Sequence, residues 1–324
     1  MVSPESHSRH AFSNPFAEDV HKGLTATPKY LLSRYFYDAA GDQLFQKIMD
    51  LPEYYLTRCE VEIFQKHGEA IFRKLAHGPF DLIELGAGDG LKTQILFGHL
   101  FHKNADFGYL PIDISGHALE QLEETLRKEW PQLSVTPVEG EYFSALQAID
   151  RLSDRQKLVL FLGSNIGNMN QDQGADFLRQ LRRQMHPGDG LLVGFDLKKD
   201  PDTVLAAYHD AQGVTREFNL NLLRRINREL GADFNLSAFR HCPVYNPLTG
   251  DMKSYLVSEK QQTVRIEALE LEIPFRKWEA VDMELSKKYD QNEIAWLAEY
   301  AGFTIEDWFF DDKEYFTDVL FRVV

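Results

Sequence analysis

Glu84-Leu-Gly86-Ala-Gly88-Asp-Gly90 is the first segment whose residue types and spacing could do chemistry. It follows an apolar run, Phe80–Leu85, and opens a helical pattern from about Leu91. Glycines in such a turn let the backbone approach a ligand closely, and a helix N-terminus favours negative charge. The spacing is G-x-G-x-G rather than the G-x-G-x-x-G of dinucleotide enzymes. The next strand ends at Asp113, where a carboxylate can accept from both hydroxyls of a ribose. Together these fit S-adenosylmethionine better than NAD, with the turn at the methionine end and the acid at the ribose. A tight turn without a ligand is the alternative. Glu141-Tyr142 falls where an adenine contact is expected, or forms a solvated acidic turn. Lys92, in the first helical turn, either meets the cofactor carboxylate or is a plain exposed lysine.

A second polar turn, Gly163-Ser-Asn-Ile-Gly167-Asn168, follows the apolar run Leu158–Leu162. Ligands of open α/β sheets bind at the carboxyl ends of strands. Asn168 offers both a carbonyl and an amide, suited to the carboxylate and amine of an amino acid. Taken alone, it also reads as a turn asparagine in the left-handed region.

The elements that must hold these turns follow from periodicity. Tyr30, Tyr35, Phe36, Tyr37, Phe45, Tyr54 and Tyr55 form an aromatic cluster broken by Gly41 and Pro52, with too many phenols for a plain core. Val61, Phe64, Ile71 and Leu75 predict a helix after Thr57. From Pro79, strands at 80–85, 110–113, 133–138, 158–162 and 191–197 alternate with helices. That alternation predicts a parallel sheet with right-handed crossovers. Between about Asp200 and Asp282 it stops, giving a helix over 216–230 and strand-like pieces at 254–258, 262–266 and 269–273. A helix at 292–301 and two strands then return to the sheet. The expected fold is α/β: a class I (Rossmann-like) sheet with helices on both faces, over residues 61–198 and 287–324. A second, discontinuous α+β domain covers 1–60 and 199–286.

The composition excludes several functions. Fifty Asp and Glu against 35 Lys and Arg give a net charge of −15, which repels phosphate backbones and anionic membranes. No nucleic-acid or membrane partner is therefore expected, and the partner is a small molecule met by a monomer. Cys59 and Cys242 are too few for a disulfide framework or a four-thiolate zinc site. The first 20 residues are polar and expected to fray; they carry no signal-like apolar segment, so a cytoplasmic location is expected. No H-E-x-x-H or cysteine cluster points to a metal, and Gly163–Gly167 is no G-x-S-x-G elbow.

Leu51-Pro-Glu-Tyr54-Tyr-Leu-Thr-Arg58, Tyr35-Phe-Tyr37-Asp38 and the Gly163–Asn168 turn together resemble the histidine Nα-methyltransferase family of ergothioneine biosynthesis. So do Ala207-Tyr208-His-Asp-Ala-Gln-Gly213-Val-Thr215, Phe218-Asn219, Asn227-Arg-Glu-Leu and Ala232-Asp-Phe. The resemblance implies cofactor contacts at Tyr37, Gly86, Lys92, Asp113 and Glu141-Tyr142, with Gly88 and Gly163 beside them. The family has Asp-Phe where this chain has Glu141-Tyr142. It implies that Asn168 and Tyr208 hold the substrate's carboxylate and amine, that Tyr54, Glu284 and Ser286 recognise an imidazole, and that Thr215 supports them. Met283-Glu-Leu-Ser alternates like a strand, so Glu284 and Ser286 share a face, and a carboxylate can accept from a ring N–H. Ser254 stands where histidine-using members carry Met. A smaller polar wall there bears on histidine against tryptophan or tyrosine as substrate.

The implied reaction is trimethylation of the α-amine of histidine by S-adenosylmethionine. Displacement at a sulfonium needs an aligned, neutral amine and desolvation more than covalent help. Tyr37 and Asn168 are the expected orienting groups, with water as proton acceptor. The contrasting class is a non-catalytic S-adenosylmethionine-binding module.

Overall fold

From Phe80 to Asp196, strands and helices alternate as their apolar periods require. The computed structural model describes residues 14–73 and 78–324. In chain order, α1 (Pro15–Thr25), the two-residue β1 (Lys29–Tyr30) and α2 (Ala39–Met49) precede α3 (Leu56–Arg73). Next come β2 (Phe80–Leu85), α4 (Leu91–His102), β3 (Phe107–Asp113) and α5 (Gly116–Glu129). Short β4 (Ser134–Val135) and β5 (Val138–Glu139) lead to α6 (Tyr142–Leu152), β6 (Gln156–Phe161), α7 (Gln171–Arg182) and β7 (Gly190–Asp196). Helices α8 (Pro201–Tyr208) and α9 (Val214–Leu230) follow. Five strands come after them: β8 (Phe239–Asn246), β9 (Asp251–Ser258), β10 (Gln262–Ile266), β11 (Leu271–Phe275) and β12 (Ala280–Lys287). The last elements are α10 (Gln291–Ala301), β13 (Thr304–Phe310) and β14 (Phe316–Arg322).

The chain divides into two compact units. One comprises the residues up to Tyr54 with Asp202–Tyr245 and Met252–Glu284; the other comprises Tyr55–Pro201, Asn246–Asp251 and Leu285–Val324. The second unit holds a sheet of order β13-β14-β7-β6-β2-β3-β4, with β5 also paired to β3. β2, β3, β6 and β7 run parallel, whereas β14 is antiparallel to both β7 and β13. Every residue of β2 and β7 is buried, as central parallel strands covered on both faces demand. The two faces separate cleanly. Ile83, Leu85 and Ile112 join α6, α7 and α10 in one core, while Tyr109 turns the other way and meets Phe97 of α4 at 4.9 Å.

The first unit has a sheet of order β1-β12-β9-β8 and a separate β10–β11 hairpin. Its core joins Phe16, Val20 and Leu24 of α1 to Phe218, Leu222, Ile226 and Leu230 of α9. Those spacings put each set on one helical stripe. Asp210 fixes the start of α9 by accepting the N–H groups of Val214 and Thr215, both at 2.8 Å.

Several expectations need correction. Asn14 caps α1 through Ala17 N at 2.9 Å, so the described end of the segment expected to fray, from Asn14 on, begins a helix with Pro15 in its first turn. Residues 1–13, and Leu75 of the expected stripe, lie outside the described residues. The strand expected at 133–138 is the two short pieces β4 and β5. The unit boundary falls ahead of α3 rather than inside it at residue 60, because one continuous helix packs as one piece. The turn Asn246–Asp251, expected with the insertion, groups with the second unit. Among the described residues, no helix is long and apolar enough to cross a membrane.

Candidate active site

The glycine turn lies between β2 and α4, in the second unit. Gly86 and Gly88 have φ of 73° and 54°, a region costly for other residues. A Cβ at Gly86 would also stand 2.9 Å from the Tyr142 hydroxyl, whereas one at Gly88 would meet open space. Gly88 is therefore demanded by backbone shape, and the space beside it is left for something else. Asp113, at the end of β3, is tied to this turn: its Oδ2 accepts from Gly88 N at 3.4 Å and its Oδ1 from Ser115 N at 3.0 Å. Tyr142 opens α6, and burial, then Asp113 and Glu141, push its phenol up to about 12. Glu141 is exposed. Backbone cradle, carboxylate and half-buried ring thus come together at the carboxyl ends of β2 and β3.

Lys92 is neither bare nor simply exposed. Its ammonium pairs with Glu60 of α3, whose other oxygen accepts from Gly163 N at 2.7 Å. Burial works against the Lys92 charge, yet Glu60, Glu84 and Asp318 outweigh it and raise the pKa. Glu84, on the same side of β2, accepts from Thr93 and Tyr109, but burial still lifts it to about 7. Sequence reasoning missed Glu60. Its one signal is an acid in the apolar stripe of α3, beside Ile63 and Phe64.

The turn after β6 begins at Gly163 and ends in a short helical turn, Asn165–Asn168, that leaves Asn168 exposed. Ser164 accepts from Asp196 N at 3.1 Å, which fixes the turn to the end of β7. The Asp196 side chain is fully buried and holds Tyr55 at 3.0 Å, Lys288 at 2.8 Å and Lys199. Burial would raise this carboxyl, but Lys288 and Lys199 hold it below the usual range. Lys288 in turn donates to Ser286 Oγ at 2.8 Å. Ser286 is therefore set by a buried ion cluster whose members lie far apart along the chain.

In the first unit, Tyr37, half exposed, meets Phe45 and Phe218 edge-on with centroids 5.6 Å apart in both cases. Tyr54 meets Phe45 in the same manner at 6.3 Å. Phe45 and Phe218 thus anchor two expected site tyrosines. Tyr208 ends α8 and is buried, and Thr215 lies in the first turn of α9. Ser254 of β9 is buried, with a hydroxyl that lacks a hydrogen-bond partner among the described residues. Glu284 stands on β12, the strand next to β9. So the first unit groups Tyr37 with Tyr54 and places Ser254 and Glu284 on neighbouring strands. The second unit brings Gly86, Gly88, Asp113 and Tyr142 together, and Lys92 with Gly163.

A seven-stranded order with one antiparallel strand, and a glycine turn facing an acid across the first two strands, define a class I S-adenosylmethionine-dependent methyltransferase. The family described as "Histidine-specific methyltransferase, SAM-dependent" matches residues 16–323, and the chain belongs to it. It is 39% identical to the histidine N-alpha-methyltransferase of Mycolicibacterium smegmatis, over 90% of each chain. The histidine N-alpha-methyltransferase of Mycobacterium tuberculosis is 36% identical over 91% of this chain and 90% of its own. Ergothioneine biosynthesis protein 1 of Schizosaccharomyces pombe is 27% identical over 86% of this chain and 38% of its own.

Proposed function

We propose that the chain trimethylates the α-amine of L-histidine, giving its quaternary betaine, the first step of ergothioneine biosynthesis. The observation that carries this reading is the family match over residues 16–323. S-adenosylmethionine supplies an electrophilic methyl group on a sulfonium. Gly86, Gly88 and Gly163 leave backbone room for its methionine end, Lys92 meets its carboxylate, Asp113 its ribose, and Glu141-Tyr142 its base. Tyr37 belongs with these contacts and, with Asn168, orients the substrate amine. Tyr208, with Thr215 behind it, and Asn168 hold the amino-acid head. Tyr54, Glu284 and Ser286 take the imidazole, Glu284 by accepting from a ring N–H.

An ammonium has no lone pair, so the substrate loses a proton to water before each transfer. Alignment and exclusion of bulk water then carry most of the rate.

Incubating the protein with S-adenosylmethionine and single amino acids, and reading product mass, tests the proposal. Histidine gaining three methyl groups is expected. No methylated product would remove the enzymatic reading, and tryptophan or tyrosine outrunning histidine would move the substrate, with the buried Ser254 hydroxyl the first place to look. For Glu284→Ala, histidine turnover falls by about 100-fold, as for loss of a charged hydrogen bond, while cofactor affinity stays. Unchanged histidine kinetics would take Glu284 out of the imidazole site.

A further inference from the structure

Glu60 is buried to 1% side-chain exposure, yet it lies on the apolar stripe of a long helix, where an apolar residue is the ordinary choice. Burying a carboxylate costs several kcal/mol unless it is paired and hydrogen-bonded, and Glu60 is both. The surroundings are shaped for it. A Cβ at Gly194 of β7 would stand 2.5 Å from Glu60 Oε1, and one at Gly163 would stand 3.1 Å from Lys92 Nζ. Its two partners lie at a telling place. Lys92 follows the turn after β2, and Gly163 follows β6. β2 and β6 are adjacent parallel strands, and the chain leaves β2 toward β3 on one side and returns to β6 on the other. That is the topological switch point, where open α/β sheets bind ligands.

We propose that Glu60 is a positioning residue for the cofactor's methionine end: it keeps Lys92 cationic and aimed beside Gly163 before the cofactor arrives. This rests on the reading of Lys92 as the contact for the cofactor carboxylate. The Lys92 side chain is only 22% exposed, and burial works against its charge, so without a counter-ion the ammonium would give up its proton more readily and be a weaker anion contact. An ammonium has three donors, so Lys92 can keep Glu60 and still take an incoming carboxylate. The ionisable groups facing Lys92 are Glu60 from α3, Glu84 from β2 and Asp318 from β14. Glu84 and Asp318 are both raised by burial, and Glu60 is the acid that pairs directly with the Lys92 ammonium. The Gly163 bond extends the effect, because it ties the turn bearing Asn168 to the same carboxylate.

Glu60→Gln keeps the length and an oxygen for Gly163 N–H but removes the charge. The measurement is calorimetric affinity for S-adenosylhomocysteine from about pH 6.5 to about pH 9.5, because one unit of pKa is roughly tenfold in affinity. Relative to the unaltered protein, the variant loses a further ~10-fold at the alkaline end as Lys92 deprotonates. Lys92→Met binds weakly at every pH, in parallel with the unaltered protein. If Lys92→Met binds as tightly as the unaltered chain, the carboxylate reading of Lys92 fails and the proposal with it. If Lys92→Met is weakened but Glu60→Gln follows the unaltered pH profile, only the positioning role of Glu60 is overturned. Should Glu60→Gln not fold, the unaltered chain answers by carbon NMR of labelled lysine, with Lys92 assigned through Lys92→Arg. Its side chain is expected to titrate above the ordinary lysine value, and titration well below that value would overturn the proposal.

Discussion

Two buried ion clusters in the second unit carry opposite excesses. Around Lys92 stand Glu60, Glu84 and Asp318, three acids to one ammonium. Around Asp196 stand Lys199 and Lys288, two ammoniums to one carboxylate. A low-dielectric interior tolerates little net charge, so each cluster relaxes by moving protons on its surplus members. Asp318 is raised well above the usual range by burial and Glu60, and Glu84 is lifted to about 7. In the other cluster Lys199 is lowered, first by burial and further by Lys288, against the pull of Asp196. The minority charge in each cluster, Lys92 or Asp196, is therefore the one held fixed. Substitution should hurt most at that residue and least at the surplus ones.

The largest expected effect is Asp196→Ala, which strands two lysines in a dry site and destabilises by about 3–5 kcal/mol in denaturant unfolding at neutral pH. A loss below about 1 kcal/mol would mean that water already reaches the cluster. The sign with pH follows from the depressed carboxyl. Its contribution is complete above the unfolded value near 3.9 and disappears as pH falls through the lower folded value. The gap between variant and unaltered protein should therefore narrow in acid.

Neither cluster was legible in the sequence, and the reason is physical. Their members come from positions 60, 84, 92 and 318, or 55, 196, 199 and 288, and periodicity reports only which face of an element is apolar. The glycine turn and Asp113 were legible because each carries a local sign: backbone freedom at a strand end, and an acid where a strand stops. α9 was legible from Phe218, Leu222, Ile226 and Leu230, all buried on one stripe. β8 was missed because Pro243 and exposed Arg240 and Val244 blur its alternation, which an edge strand allows. α2 was hidden by Gly41 in the aromatic segment, although Asp38 caps it by accepting from Gly41 N at 2.8 Å. Resemblance to a family placed Glu284 and Ser286, but nothing local in Leu285-Ser-Lys-Lys288 said that Lys288 would be fully buried beneath Ser286.

A smaller effect is expected at Glu84, one of the surplus acids. Its folded value near 7 lies above the ordinary 4.5, so between those values the unfolded chain gives up a proton that the folded chain keeps. Stability from this group therefore falls as pH rises through that window, by about 3 kcal/mol in all. Glu84→Gln removes the slope, so relative to the unaltered protein it gains stability between about pH 4 and about pH 8, which lie on either side of the window. Parallel unfolding curves at the two pH values would show that Glu84 ionises as freely as a surface acid.

The smallest effect is the most discriminating. Asp318 and Asp196 are both aspartates with no exposure at the ends or middle of neighbouring strands, β14 and β7. By burial alone, the same substitution to asparagine should cost the same at each. By charge balance it should not: burial raises the Asp318 carboxyl well above the usual range, whereas Lys288 and Lys199 hold Asp196 below it, so an asparagine gives up less charge at 318 than at 196. Asp318→Asn should change unfolding free energy by less than about 1 kcal/mol at neutral pH, against several for Asp196→Asn. Equal losses would mean that Asp318 is ionised in the fold, leaving the Lys92 cluster with a net negative charge. A negative site there would repel the carboxylate that Lys92 is expected to hold, so the stability of one asparagine variant bears directly on how the cofactor end can work.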